Sequence, residues 1–229
     1  MEFKRIIIST AARFDLAWFN VRIRISYNKG SPIRFTSTLD MQRIWERSFR
    51  RASINVAYSK GFHPHSRIQL GIPLPLGFTG LDEKVDIWID DSLSLKVISD
   101  RLEKNLPEGL EISSIEEINI SEKSLILQIK YSDYRVYLRN DNSSPQKVKN
   151  RINNLLNEKE IIREKRNGKK YDLRPLILAI KFNTENQNKP FVFLRLLSQP
   201  SKTGRADDVM LSMGYSITDF LIERTGSFT

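Results

Sequence analysis

The chain has 229 residues, with 37 Lys and Arg against 27 Asp and Glu, which gives a formal net charge of +10. Hydrophobic residues make up 40% of it, enough to bury a core, so the composition argues against an intrinsically disordered chain. Cysteine is absent, which excludes disulfide scaffolds, thiol nucleophiles and Cys-ligated zinc or iron–sulfur sites. We expect a folded basic protein with no cofactor of its own, whose partner is nucleic acid or an acidic protein.

Nothing in the sequence indicates a membrane or export segment. No stretch approaches the ~20 continuous apolar residues that cross a bilayer. The apolar run at residues 6–8 is short, and Glu2 and Asp15 on either side of it make a poor signal peptide. A cytoplasmic location without a membrane partner is therefore expected.

The first predicted element is a strand over residues 19–27, where side-chain character alternates from one residue to the next. Its apolar face consists of Phe19, Val21, Ile23, Ile25 and Tyr27. Arg22 and Arg24 fall on the opposite face, and we expect that face to be basic and open to solvent.

A helix is predicted next, because Ser37 and Asp40 have the spacing of a capping box and the pattern ends near Ala52. Its buried stripe is predicted to be Met41, Ile44, Trp45, Ser48, Phe49 and Ala52. Another face carries a row of arginines, Arg43, Arg47, Arg50 and Arg51. This row is either a solvated helix face, paired internally with Glu46, or a set of contacts to RNA phosphates.

The rest of the first half predicts a small sheet covered by helices. A strand begins near residue 56, a stretch rich in glycine and proline runs over 59–77, and a second strand alternates around residue 87. A helix over 95–106 ends before Pro107. This order of elements suits a ferredoxin-like (split βαβ) arrangement, with antiparallel strands and helices on one face.

A similar order begins again in the second half. A strand is predicted to alternate through Leu125, Leu127, Ile129 and Tyr131. Ser144 and Pro145 begin a helix, two strands follow at 173–182 and 191–197, and a helix covers 207–214. A last short helix is predicted from Ser216.

We therefore predict an α+β protein of two related halves. Residues 1–18 are expected to form a loosely ordered extension. Residues 19–120 form the basic half, and residues 121–229 form the second α+β half, which suggests a structural duplication without a visible sequence repeat.

Several motifs of the first half occur together in one known family. They are Arg34-Phe35, Ser37-Thr38-Leu39-Asp40, Gly61-Phe62-His63-Pro64-His65 and Pro73-Leu74-Pro75-Leu76-Gly77. In these motifs, and more loosely at 106–109, 173–175, 204–208 and 223–226, the chain resembles the bacterial radical-SAM-linked family of unknown function. It departs from the family at Thr38, where histidine is usual, and at Ser66, where proline is common.

The resemblance implies a protein partner and a connection to RNA, but it does not imply a particular reaction. The partner would be a separately encoded radical SAM enzyme, which would bring the iron–sulfur cluster and the methyl-donor cofactor. The family context also implies work on RNA, such as tRNA or rRNA.

His63 and His65 are the only histidines, and they lie in a loop that also carries Lys60 and Arg67. Two histidines without a third ligand do not define a metal site, although a carboxylate at 82–86 is a possible third ligand; we expect no metal. The basic loop suits phosphate contact, and Tyr58, Phe62 and Trp88 are candidate platforms for base stacking.

The favoured hypothesis is a non-catalytic accessory protein that binds RNA. Its predicted RNA-binding residues are Arg22, Arg24, Arg43, Arg47, Arg50, Arg51, Lys60, His63, His65 and Arg67. One alternative is an RNA-processing or RNA-modifying enzyme in which His63 or His65 moves a proton. The other is a protein-docking subunit that never touches nucleic acid.

Overall fold

The computed structural model describes residues 20–90, 92–139, 144–165, 167–184 and 189–229. The loose extension expected over residues 1–18 lies outside this part of the chain. The described residues form an α+β structure around one large, mostly antiparallel sheet.

The first unit has the strand order expected for a ferredoxin-like arrangement. Its elements are β1 (Asn20–Lys29), α1 (Thr38–Arg51), β2 (Ile68–Leu70), β3 (Thr79–Asp90), α2 (Leu95–Glu103) and β4 (Leu110–Ile118). In the sheet these strands lie in the order β4-β1-β3-β2, and every neighbouring pair is antiparallel. A helical turn, α3 (Leu125–Gln128), connects this unit to the next.

The second unit repeats the arrangement. Its elements are β5 (Tyr131–Leu138), α4 (Pro145–Asn157), β6 (Ile162–Glu164), β7 (Lys170–Asp172), β8 (Ile177–Asn183), β9 (Phe191–Gln199), β10 (Lys202–Thr203), α5 (Ala206–Ser212) and β11 (Phe220–Phe228). Its main strands lie in the order β11-β5-β9-β8, again all antiparallel. The β6–β7 hairpin is an insertion.

One parallel contact joins the two units into a continuous sheet. Glu223 and Arg224 of β11 pair with Thr79 and Gly80 of β3. Each unit has its own hydrophobic core on the face that its helices cover. The two halves therefore share one sheet while packing separate helices on it.

Local signals fixed the start of α1 as predicted. Asp40 N donates to Ser37 Oγ at 3.2 Å and Ser37 N donates to Asp40 Oδ2 at 3.1 Å, which completes the capping box. The predicted stripe is buried except for Ile44, which is half-buried, and Trp45 and Phe49 are fully enclosed against β1 and β3. The helical period of the sequence therefore identified the core face correctly.

Two predictions about the second half are wrong. Residues 125–128 form the turn α3, and the strand begins only at Tyr131. Leu125 and Ile129 are both buried, and a spacing of four suits a helical turn as well as a strand, so the pattern was ambiguous. The last predicted helix is the strand β11; Ser216 N donates to Asp219 Oδ2 at 2.8 Å, but this contact closes a turn.

Candidate functional site

The strand face that carries Arg22 and Arg24 is buried, so the expectation that it is open to solvent is wrong. Arg22 is only 2% exposed and donates to Asp86 Oδ2 at 2.5 Å, and Arg24 donates to both oxygens of the same carboxylate at 2.8 and 3.1 Å. The segment that precedes α3 covers this face, because the main-chain oxygen of Glu122 accepts from Arg22 Nη1 at 2.6 Å. Both guanidinium groups are committed to internal partners in this structure.

Trp88 and Arg67 are half-buried and lie next to this pair of arginines. The guanidinium carbons of Arg67 and Arg22 lie 4.5 and 4.8 Å from the centroid of the Trp88 ring. Burial, and then the charge of Arg22, lower the pKa of Arg67 below its usual value. The ring already contacts two guanidinium groups, which disfavours stacking of a base on it.

The predicted arginine row on α1 is exposed. Arg43, Arg47, Arg50 and Arg51 all face solvent. Arg43 lies 3.8 Å from Asp40, and an exposed ion pair of this kind contributes little to stability. Glu46, the internal partner considered from the sequence, accepts a hydrogen bond from Gln42 at 3.4 Å.

The loop with the two histidines is a short hairpin over residues 58–66, which we call the 58–66 hairpin. Tyr58 and Ser66 form a bridge at its base, and Ser59 N donates to His65 O at 2.8 Å. The Ser59 side chain also contacts His65 Nδ1 at 2.9 Å and accepts from His65 N at 3.1 Å. His65 thus helps to shape the hairpin, while Phe62 at its tip is fully exposed.

Only part of the predicted site is brought together. The residues after α1 return to β3, where Asp90 N donates to Asn55 O at 2.9 Å and Val56 bridges to Ile89. The C-terminal end of α1, with Arg50 and Arg51, therefore lies at the same end of the sheet as the 58–66 hairpin. Arg22, Arg24 and Arg67 lie apart from the α1 row, because their strand face is opposite to the one on which α1 packs.

A cleft of about 710 Å³ lies at the junction of the two units, and sequence reasoning did not predict it. The start of α1 at Ser37 and Thr38, the segment 72–76 and residues 203–207 form its walls. The sequence did hold a signal, because the family motif at 73–77 and the looser match at 204–208 both contribute residues to the walls of this cleft.

A buried charge cluster contacts one wall of the cleft, because Arg224 Nη2 donates to the main-chain oxygen of Ile72 at 2.7 Å. Arg224 Nε donates to Glu83 Oε1 at 2.8 Å, and a second contact joins Arg224 Nη2 to Glu83 Oε2. Lys29 is also buried and donates to the main-chain oxygen of Thr36 at 3.0 Å; burial lowers its pKa below the usual value. This cluster connects β1, β3 and β11, which are the strands that join the units.

The carboxylates considered as a third metal ligand have other partners. Glu83 pairs with Arg224, Asp86 pairs with Arg22 and Arg24, and Asp82 lies 3.5 Å from Lys84. Across the described ranges, no group of three or more His, Asp or Glu side chains is placed to hold a metal ion. Nor does any helix in the described part of the chain have the length and apolar character needed to span a membrane.

Comparison with known proteins gives one informative match. Residues 22–205 match the family described as "Uncharacterized protein conserved in bacteria" (DUF2344). No curated protein matches the chain.

Solved structures give only distant likenesses. The chain resembles DyPB from Rhodococcus jostii RHA1 with a TM-score of 0.23 and 10% identity over 91% of each chain. It resembles a heme-bound variant of that protein with a TM-score of 0.22 and 11% identity, again over 91% of each chain. TM-scores this low do not establish a shared fold, so heme binding by those proteins says nothing about this chain.

Proposed function

We propose that this chain, which belongs to an uncharacterised protein family conserved in bacteria, binds RNA through the exposed face of α1 and the 58–66 hairpin. The observation that carries the proposal is the fully exposed Phe62, beside Lys60 and two exposed histidines, at the end of the sheet where α1 presents Arg50 and Arg51. An exposed aromatic ring among cations offers stacking to a base and charge to the neighbouring phosphates.

The arginines of α1 supply the electrostatic part of the proposed contact. Four exposed guanidinium groups share a helix of 14 residues. Asp40, which lies 3.8 Å from Arg43, also accepts hydrogen bonds in the capping box. Arginines that neutralise RNA phosphates release the counterions condensed on the RNA, so the affinity that they contribute falls steeply with salt. The +10 net charge adds long-range attraction for a polyanion.

Phe62 and Tyr58 favour RNA over an acidic protein as the partner. Both rings are exposed on the hairpin, and stacking of one base on an aromatic ring contributes about 1–3 kcal/mol of binding free energy. Stacking of this kind needs unpaired bases, so loops and single-stranded ends of an RNA are the expected ligands. His63 and His65 donate hydrogen bonds to phosphates in this proposal and have no catalytic role.

The proposed protein partner is a separately encoded radical SAM enzyme, and only the sequence resemblance supports this part. Tagged protein purified from its host, with and without nuclease, tests it. The proposal expects bound RNA together with a radical SAM enzyme. A protein partner recovered without any RNA would make the basic surface a docking face and would overturn the RNA function.

Charge reversal at Arg47 and Arg50 tests the RNA contact directly. The variant R47E/R50E is compared with K147E/K149E, which makes the same charge change on exposed positions of α4. With a fluorescent RNA hairpin as probe, R47E/R50E should lose at least tenfold in affinity and reduce the salt slope by roughly 1.4–1.8, the value for two phosphate contacts.

The control variant separates a site from a general charge effect. K147E/K149E should bind the RNA hairpin nearly as well as the natural chain, with unchanged circular dichroism for all proteins. Equal losses in both variants, or unchanged affinity in R47E/R50E, would contradict the proposed surface.

A further inference from the structure

The open face of the second unit carries aromatic side chains on its two central strands. Tyr134 and Val136 of β5, and Val192 and Leu194 of β9, are buried in the helix-covered core. Because strand residues alternate between faces, their neighbours lie on the other side of the sheet. These neighbours include Tyr131, Tyr137, Phe191 and Phe193, and all four rings are half-buried.

The strand register places the rings side by side. Tyr137 is opposite Phe191, with ring centroids 5.9 Å apart, and Arg135 is opposite Phe193. At the other end of the face, Tyr131 stacks on Phe228 of β11 with centroids 5.3 Å apart. The face thus carries a pair of rings at each end, with Phe193 between them, and such rings can stack on bases.

Cationic groups flank the rings. Arg135 is exposed, and its guanidinium carbon lies 5.4 Å from the centroid of Phe191. Lys181 of β8 is exposed beside Phe193, and Lys189 is exposed just before β9. Arg195 is held by two 2.8 Å hydrogen bonds to Asp133, which fixes it over Tyr131 at 4.5 Å.

Carboxylates only partly offset these cations. Asp133 is committed to Arg195, and Glu223 accepts a hydrogen bond from the Tyr137 hydroxyl at 3.4 Å. Glu223 is also opposite Arg135 in the strand register, so Lys181 and Lys189 are the cations that leave the face with a positive excess. That charge suits phosphates at the edges of a stacked strand.

The sequence of β9 fits the same reading. RNA-recognition sheets carry the pattern K/R-G-F/Y-G/A-F-V-x-F/Y on the third strand of a β-α-β-β-α-β unit, where its aromatic residues stack bases. Residues 189–196 read Lys-Pro-Phe-Val-Phe-Leu-Arg-Leu, and β9 is the third main strand of its unit. Lys189, Phe191 and Phe193 match the first, third and fifth positions of the pattern. Pro190 and Val192 stand where the pattern has small residues, and Leu194 and Leu196 stand where it has valine and an aromatic residue.

We propose that this open face of β5 and β9 binds single-stranded RNA by stacking bases on Phe191 and Phe193. Arg135, Lys181 and Lys189 contact the phosphates beside the stacked bases. Duplex RNA does not bind here, because its bases are already stacked and paired. This second surface extends the proposed RNA binding, but it stands on residues separate from α1 and the 58–66 hairpin.

Removing the two rings tests the proposal. F191L/F193L keeps apolar side chains on the sheet but removes the stacking surfaces. F35L is the control and removes a ring from the first unit that is more exposed than either of these, at 68%. The probes are a labelled 12-nucleotide uridine-rich RNA strand and a 12-base-pair RNA duplex. F191L/F193L should lose at least tenfold in affinity for the single strand and keep its affinity for the duplex, whereas F35L should bind both as the natural chain does.

Further readouts keep the test decisive. A 2-aminopurine base in the single strand should be quenched by the natural chain and much less by F191L/F193L. R135E/K181E changes only exposed side chains, so it tests the face even if the ring variant folds poorly, and it should lose affinity for the single strand as well. Unchanged single-strand affinity in both variants overturns the proposal. A change in sedimentation without a change in RNA binding also overturns it, because the face is then an interface between copies.

The two RNA surfaces fail independently. If R47E/R50E binds RNA normally while F191L/F193L does not, the result supports the sheet face as the RNA surface and contradicts the α1 surface. The reverse result leaves the α1 surface and removes the sheet face.

Discussion

Replacing Asp86 with asparagine tests whether the buried ion pairs of Asp86 with Arg22 and Arg24 stabilise the first unit. Asp86 is fully buried and is the common acceptor for Arg22, at 2.5 Å, and for Arg24, at 2.8 and 3.1 Å. D86N keeps the shape of the side chain but removes the shared counter-charge of two buried guanidinium groups. Breaking a buried ion pair costs about 3–5 kcal/mol, and each kcal/mol shifts Tm by about 2–4 °C in a chain of this size. We therefore expect D86N to lower Tm by roughly 10 °C.

Differential scanning calorimetry with a control on the same strand measures this effect. Asp82 is partly exposed and lies 3.5 Å from Lys84, so D82N removes an ion pair worth about 0–1 kcal/mol. D82N should therefore shift Tm by no more than about 4 °C. A fall in Tm of less than about 2 °C for D86N, or equal falls in Tm for the two variants, would refute the stabilising role of the Asp86 ion pairs.

Three further predictions follow from the packing of the first unit. Trp45→Ala empties the centre of the core and should cost about 3–5 kcal/mol, measured by urea unfolding. Ser37→Ala removes the cap of α1 and should cost about 1 kcal/mol in the same assay. The hydrogen bond from Ser37 also lowers the pKa of Asp40. The stability that this hydrogen bond adds is therefore complete above the unfolded pKa of about 3.9 and is lost as pH falls through the lower folded pKa. In S37A, the free energy of unfolding should consequently fall less steeply below about pH 4 than in the natural chain. Gly109→Ala should destabilise by about 1 kcal/mol or more, because φ is +87° and a Cβ would lie 3.0 Å from Pro32; a normal Tm would contradict this.

The elements that were predictable from the sequence are those whose signals are local. The capping box at Ser37 and the helical stripe around Trp45 each lie within one turn or one face of α1, so the pattern and the structure agree. Ser144 and Pro145 likewise mark the start of α4, and Val148 and Ile152 form its buried face. Such signals depend on neighbouring residues alone.

The features that were not predictable depend on distant parts of the chain. Arg22 and Arg24 are buried because residues near Glu122, about a hundred positions later, cover their strand face. The alternation of side-chain character along β1 predicted correctly which residues share a face, but it did not predict which face is exposed to solvent. The junction cleft has the same origin, since residues 72–76 and 203–207 meet only when β11 pairs with β3.

RNA contact at the α1 and 58–66 surface is the central claim, and photochemical cross-linking tests it most directly. The natural chain is cross-linked to an RNA hairpin that carries 4-thiouridine in its loop, digested with trypsin and analysed by mass spectrometry. We predict cross-links in the peptide of residues 61–67, which contains Phe62, and their loss in the variant R47E/R50E. Cross-links that are absent from this peptide, while others form elsewhere on the chain, would contradict the claim.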